Sequence, residues 1–364
     1  MLVIDPGSTS TKVGTYSAAA PEPIASASLP VSPDQPSDHA GRLRAITAWL
    51  AANDTRLDAV VGRGGLLRPI PGGTYAVSDA MLADLRDGVR GDHPANLGGL
   101  LARAIADARG APAFVVDPVA TDEFAPVARV AGLADLRRES LLHALNVRAV
   151  ARHDCAARGV ALADANLVVA HLGGGISIVA IERGRMVDAN NAHEEGPFSP
   201  ERCGGLPSGQ VADLVHSGRL PDWDAARTFL HRAGGVRAYL GTNDLAEVER
   251  RVTAGDAHAR AVLDAMAYQI GKSIGAYAAA LAGRVDAVLL TGGAAHCAPL
   301  IDAIRPLVDW LAPVRVHPGE HELTALAEGA FRVLDDQETA RDYASSVLDD
   351  QPDQPDQPDH EEPR

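Results

Sequence analysis

The sequence predicts an α/β protein built from two similar halves, and three observations carry that reading. The chain opens on an apolar run, Leu2-Val3-Ile4, that passes through Asp5-Pro6-Gly7-Ser8-Thr9-Ser10-Thr11-Lys12 into a second run ending at Tyr16. The same order recurs near the middle: Leu167 to Ala170, then His171-Leu172-Gly173-Gly174-Gly175, then an alternating run from Ile176 to Ile181, a turn at Arg183-Gly184 and a return to Asp188. At 364 residues the chain exceeds what one core usually organises, so two domains are expected. Each hairpin reads as a strand, a turn of small residues and a strand returning beside it. Glycines that take positive φ let a ligand approach the main chain, and clustered N–H groups suit polyphosphate. One such turn alone is equally an ordinary glycine-rich hairpin. Two of them suggest a duplicated fold closing on a nucleotide.

Composition narrows the function classes. Hydrophobic residues make up 46% of the chain, yet no apolar run approaches the ~20 residues of a membrane span, and Met1 leads straight into the first strand without a basic leader. Cys155, Cys203 and Cys297 are odd in number and widely spaced, which reads as free thiols of a reducing cytoplasm. The formal charge is −15, and residues 335–364 alone hold eleven acids against two arginines. An acidic chain without a basic stripe argues against a nucleic-acid partner, and nothing points to a membrane. Basic residues are nearly all arginine, the exceptions being Lys12 and Lys272. A lysine in the first hairpin is therefore conspicuous.

In order, strands are expected near 1–6, 11–17 and 24–29, a helix over 38–53, and an apolar run at Leu57 to Val61. Gly62-Arg63-Gly64-Gly65 follows, a loop in which an arginine at a strand end can grip an anion. His93 to Gly99 starts a helix to Ala108, and Phe114-Val115-Val116-Asp117 is a buried strand ending in an acid, either a catalytic or orienting carboxylate or a turn cap. A helix from Arg138 to Arg158 is the expected hinge and leads into the central hairpin. Residues 190–209 are too polar for core and unusually long for a loop without a task. Helices are expected at 210–217, 223–233, 243–251 and 257–281, then a strand at 285–290 ending in Thr291-Gly292-Gly293, where backbone can lie against a base or ribose. A strand at 313–317 precedes Pro318-Gly319-Glu320-His321-Glu322 and a helix to Leu334, whose first acids suit the helix dipole. Beyond Asp335 the acidic, Gln-Pro-Asp-repeating composition predicts a disordered tail.

Asp5-Pro-Gly-Ser-Thr-Ser-Thr-Lys12, Gly62-Arg-Gly-Gly65, His171-Leu-Gly-Gly-Gly-Ile-Ser177, Gly196-Pro-Phe-Ser-Pro-Glu-Arg202 and Pro318-Gly-Glu-His-Glu322 together resemble the butyrate kinases of the acetokinase family, from Met1 to about Leu334. The resemblance implies two ribonuclease-H-like (actin-like ATPase) domains with an ATP cleft between them. It divides the chain into 1–150, with the 322–334 helix packing back on it, 151–321, and a tail 335–364. It implies phosphorylation of a short-chain fatty acid, butyrate or a branched C4–C5 acid, by ATP with Mg²⁺, in at least a dimer. An acetate or propionate kinase, or a non-catalytic nucleotide-binding member of the same superfamily, is the alternative. By position, Ser8, Ser10 and Lys12 would line the first phosphate loop, and His171 with Gly173, Gly174 and Gly175 the second. Gly292 and Gly293 match the adenosine motif; Arg63, His93 and Asp117 match catalytic and acid-binding positions. Asp5, Glu320 and Glu322 are the candidate Mg²⁺ ligands. Asp5 departs from the family's usual asparagine, and Arg202 is the one basic residue on the loop where acetate kinases carry a second arginine. The pair Gly64-Gly65, where acetate kinases have bulkier residues, is expected to leave room for a longer acyl chain.

Overall fold

The computed structural model describes residues 1–20, 22–31, 38–53 and 56–348. Its strands are β1 (Leu2–Pro6), β2 (Ser10–Thr15), β3 (Ala25–Pro30), β4 (Val60–Arg63), β5 (Thr74–Ala76), β6 (Ala113–Val116), β7 (Asn166–Leu172), β8 (Ile176–Glu182), β9 (Arg185–Ala189), β10 (Ala287–Gly292) and β11 (Val314–Pro318). Its α-helices are α1 (His39–Ala52), α2 (Asp79–Asp87), α3 (Asn96–Arg109), α4 (Ala144–Ala157), α5 (Ser208–His216), α6 (Trp223–Arg232), α7 (Gly235–Leu240), α8 (Leu245–Thr253), α9 (Ala257–Ala280), α10 (Ala298–Val308) and α11 (Glu322–Leu334).

The duplication is visible in the pairing. One sheet runs β3-β2-β1-β4-β6-β5 and the other β11-β10-β7-β8-β9. In each, an antiparallel meander (β1–β2–β3, β7–β8–β9) is followed by strands laid parallel to the first one, β4 and β6 or β10 and β11. A parallel neighbour needs a crossover, and helices supply it: α1 before β4, α3 before β6, α9 before β10, α10 before β11. Alternating burial is absent from β1 and β10, buried throughout, and from β7, buried from Leu167 on, as expected of strands covered on both faces.

Two helices tie the halves together. Val147, Val150, Ala151 and Cys155 of α4 join Leu167, Val169 and Leu289 in one apolar cluster, whereas Leu145 joins Val3, Val61 and Leu326 in another. In turn α11, after the last strand, lays Ala325, Leu326 and Ala330 against Val3, Phe114 and Val116 of the first sheet. The helix expected from Arg138 starts only at Ala144, because Arg138 is spent elsewhere: its guanidinium binds Asp188, Glu195 and two carbonyls.

The acid-rich end departs from expectation as far as Leu348. Tyr343 is buried and its hydroxyl donates to Asp84 at 2.6 Å, Arg341 N donates to Thr74 O, and Leu348 N to Pro69 O. This stretch is ordered because it carries one aromatic anchor and one edge to pair with, which an average over thirty acidic residues hides. Residues 349–364 lie outside the described residues. Strand β5, against which this segment pairs, and helix α2 were not foreseen. Among the described residues no helix is long and apolar enough to cross a membrane, and all three cysteines are free.

Candidate active site

The parallel strands of both sheets deliver their C-terminal ends to one place, where open α/β sheets commonly bind ligands. The end of β4 presents Arg63, the end of β1 Asp5, the end of β7 His171, and the turn after β11 Glu320 and Glu322. Arg63 NH1 donates to Glu322 Oε1 at 2.6 Å and to Asp5 Oδ1 at 3.2 Å, and Lys12 Nζ stands 3.8 Å from Glu322 Oε2. Burial, and then Asp5 and Glu320, push the Glu322 carboxyl up to about 7 against the opposing pull of Arg63. Two carboxyls this close favour a shared proton or a bound cation.

His171 Nδ1 meets Asn146 Oδ1 at 2.8 Å, so that nitrogen carries the hydrogen and Nε2 is left for a ligand. Nε2 is buried, makes no hydrogen bond and lies 3.4 Å from Glu320 Oε1. The ring stacks on His143 with centroids 4.0 Å apart. Burial, then His171, Arg63 and Arg202 hold His143 well below the ordinary histidine range, so it is neutral, with Nδ1 on Ser177 Oγ at 2.9 Å. The His93 imidazole is held below its ordinary value by burial and by the charges of the same two arginines, so His93, Arg63 and Arg202 lie in one neighbourhood.

Both small-residue turns are braced from outside. Buried Arg42 of α1 donates to Gly7 O at 2.8 Å and Thr11 Oγ1 at 2.7 Å, holding the β1–β2 turn with Ser8 exposed and Ser10 half-buried. On the second turn Ser199 Oγ donates to Gly174 O, and Arg202, anchored on Ala192 O, crosses Gly175 so closely that a Cβ there would stand 2.4 Å from its NH1. That is the task of the long polar loop. Gly173 faces His171 Nε2 and Glu320. Gly292 has φ +89° with its Cα against the Leu172 backbone and exchanges hydrogen bonds with Gly319, while Gly293 is exposed with open space beside it.

Two expectations fail. Asp117 does not join the Arg63 cluster: it is buried against Arg148 at 3.0 Å and accepts from Gly73 N at 2.8 Å. The missing side chains of Gly64 and Gly65 open no space, because a Cβ on Gly64 would stand 2.4 Å from Val115 and Pro118, and one on Gly65 2.1 Å from Asn96 Oδ1. The glycines exist so that the loop after Arg63 can be pressed onto its own scaffold, and Asn96 pins it by accepting from Leu66 N. Sequence reading missed Arg42, Asn146, His143 and Ser199. Ser199 lies inside the Gly196–Arg202 motif without standing out in it, and Arg42, His143 and Asn146 sit in none; each acts through a contact distant in sequence.

No trio of acids, histidines or cysteines among the described residues is arranged to hold a metal by itself. Mg²⁺ keeps several waters and takes one or two carboxylates alongside phosphate oxygens. Asp5 and Glu322 are the pair that fits, and a dication there would relieve their crowding.

The family profile described as "Acetokinase family" matches residues 138–305. A relative named "Probable butyrate kinase 2", from Caldanaerobacter subterraneus subsp. tengcongensis, is 45% identical over 353 residues, covering 94% of this chain and 99% of its own length. Among solved structures, Porphyromonas gingivalis acetate kinase superposes with a TM-score of 0.76 at 19% identity, covering 92% of this chain and 99% of its own. A propionate kinase from Francisella tularensis gives 0.71 at 16% identity, covering 90% and 98%. At such identities these two speak for the fold, which is the two-sheet, actin-like ATPase fold expected from the sequence.

Proposed function

The chain belongs to the acetokinase family, and on that premise we propose that it transfers the γ-phosphoryl group of ATP reversibly to the carboxylate of a short-chain fatty acid, butyrate or a branched C4–C5 acid. The observation that carries the reading is Arg63, set between Asp5 and Glu322 where both small-residue turns converge, with His171 Nε2 unpartnered across the cleft.

A carboxylate is already a nucleophile, so no covalent intermediate on the protein is needed. One of its oxygens bonds to the γ-phosphorus while the bond to the bridging oxygen of ADP breaks. The difficulty is bringing an anion to a polyanion, and catalysis is positioning plus charge stabilisation. Arg63 and Arg202 hold the acid and the transferring group. Lys12 and the Ser8–Ser10 turn take the phosphates, and the bare Gly173–Gly175 backbone lets them lie against N–H groups. His171, oriented by Asn146 and with Nε2 3.4 Å from Glu320, lines the cleft beside the transferring group. Mg²⁺, held through Asp5 and Glu322, would neutralise phosphate charge. His143, kept neutral, supports the His171 ring without adding repulsion. Asp117, bound to Arg148, has a structural part.

The butyrate preference rests on the 45% identical relative's name, since the glycine argument for chain length is gone. Hydroxylamine trapping of acyl phosphate across acids from C2 to C6 tests it. Butyrate or a branched C4–C5 acid should lead in kcat/KM; a lead for acetate would replace the substrate while leaving the acyl-kinase chemistry. On the same reading the chain works in the cytoplasm as a homodimer or larger homo-oligomer, which sedimentation would check.

A further inference from the structure

A second charged cavity, of about 450 Å³, shares no lining residue with the Arg63 cluster. It is walled by Gly72–Thr74 beside the first sheet, by Arg148 and Arg152 of α4, by the β8–β9 turn with Arg183 and Arg185, and by Glu338 and Arg341 of the closing segment. Five arginines face two glutamates in a chain whose overall charge is strongly negative.

Both glutamates are already satisfied. Glu123 accepts from Arg148 NH2 at 2.8 Å and from the backbone N–H groups of Gly72 and Met186. Glu338 is held by Arg332 at 2.9 Å and Arg152 at 3.0 Å. Arg183, Arg185 and Arg341 have no carboxylate partner among the described residues; Arg341 reaches only the Tyr75 hydroxyl. Arg152 Nε is buried without a hydrogen bond, and burial followed by the charge of Arg332 lowers its pKa, so it gains from any anion brought near.

We propose that this cavity binds a small multivalent phosphate and, by doing so, fastens the two halves of the molecule together behind the cleft. Guanidinium forks match phosphate oxygens bidentately. Three forks without a carboxylate partner, two from the β8–β9 turn and one from the closing segment, suit a tetrahedral phosphoryl group, whose oxygens point several ways, better than one planar carboxylate. The volume is that of a small-molecule site. Its walls come from both sheets and from α4 between them, so occupancy would bias how the halves sit. That consequence for turnover rests on the kinase reading; the binding does not.

The test is calorimetric titration of the full-length protein with inorganic pyrophosphate, with a non-hydrolysable ATP analogue and Mg²⁺ saturating the cleft, and citrate as the polycarboxylate arm. The parent should bind one pyrophosphate, more tightly than citrate. The double variant Arg183→Gln/Arg185→Gln, on an exposed turn and with its melting temperature unchanged, should bind it at least tenfold more weakly. Arg341→Gln should do likewise, and Arg63→Ala should leave this binding as it is. No pyrophosphate binding by the parent, equal affinity in the Arg183/Arg185 variant, or tighter binding of citrate would overturn the proposal. Because the readout is heat of binding, a protein that fails to phosphorylate any acid can still pass it.

Discussion

Two arginines of this chain are held in nearly the same way and come to different ends. Arg63 stands between Asp5 and Glu322, and Arg148 between Asp117 and Glu123. The difference lies in the backbone around the acids. Asp117 and Glu123 accept N–H groups from Gly73, Gly72 and Met186, so their oxygens are committed. Among the described residues, no backbone N–H donates to the carboxylates of Asp5 or Glu322. They are left against each other with Glu322 pushed up to about 7. The Arg148 cluster is a closed joint between α4 and the strand ends; the Arg63 cluster is held in position with bonding capacity to spare. Buried charges therefore do not by themselves mark an active site; unspent partners do.

The sharpest separation is by truncating each arginine. Arg63→Ala should lower turnover at saturating acid by roughly 10³-fold or more, the scale of an arginine that meets transition-state charge in phosphoryl transfer, with the fold retained by circular dichroism. Activity within threefold of the parent would remove Arg63 from the chemistry. Arg148→Ala should instead cost ~3–5 kcal/mol of stability, because it strands Asp117 and Glu123 in the interior. Denaturant unfolding reads this directly, and an unchanged midpoint would mean that the two clusters do not differ as described.

Deleting residues 337–364 should cost roughly 3 kcal/mol or more, since it removes buried Tyr343 with its hydrogen bond to Asp84. Composition alone predicts no loss. A melting temperature within a degree of the parent's would restore that view.

The pH dependence should belong to the cleft. In Mg²⁺-free protein the folded-state pKa of Glu322, about 7, lies above its ordinary value of 4.5, so the folded form holds a proton the unfolded form releases. Stability from this group is complete below about 4.5 and falls as pH rises through 7, by on the order of 3 kcal/mol at most. Glu322→Gln should flatten that fall, and Mg²⁺ should reduce it. A slope unchanged by the substitution would assign the titration elsewhere.

Much of this was legible in the sequence because the fold repeats. Two strand–turn–strand units announced the two sheets, and Asp5, Lys12, Arg63, His171, Glu320 and Glu322 sit in motifs that chain order alone could gather. What stayed hidden depends on contacts across long separations. Asp117 has the same local sequence whether it faces a substrate or Arg148, and only the placement of α4 decides. Gly64-Gly65 reads as space, whereas Val115, Pro118 and Asn96 fill it. Arg42 and Ser199 brace the turns from helices and loops that no periodicity links to them. Tyr343 was masked by the acids around it.

If the open cluster acts on a carboxylate, nucleotide turnover depends on the acid. ADP release by the unaltered protein, followed with ATP and Mg²⁺ in the presence and absence of butyrate, tests it most directly. ADP should form only with the acid and be matched mole for mole by hydroxylamine-trappable acyl phosphate. ADP formed at the same slow rate with and without acid would contradict it and leave a nucleotide-binding protein in place of a kinase.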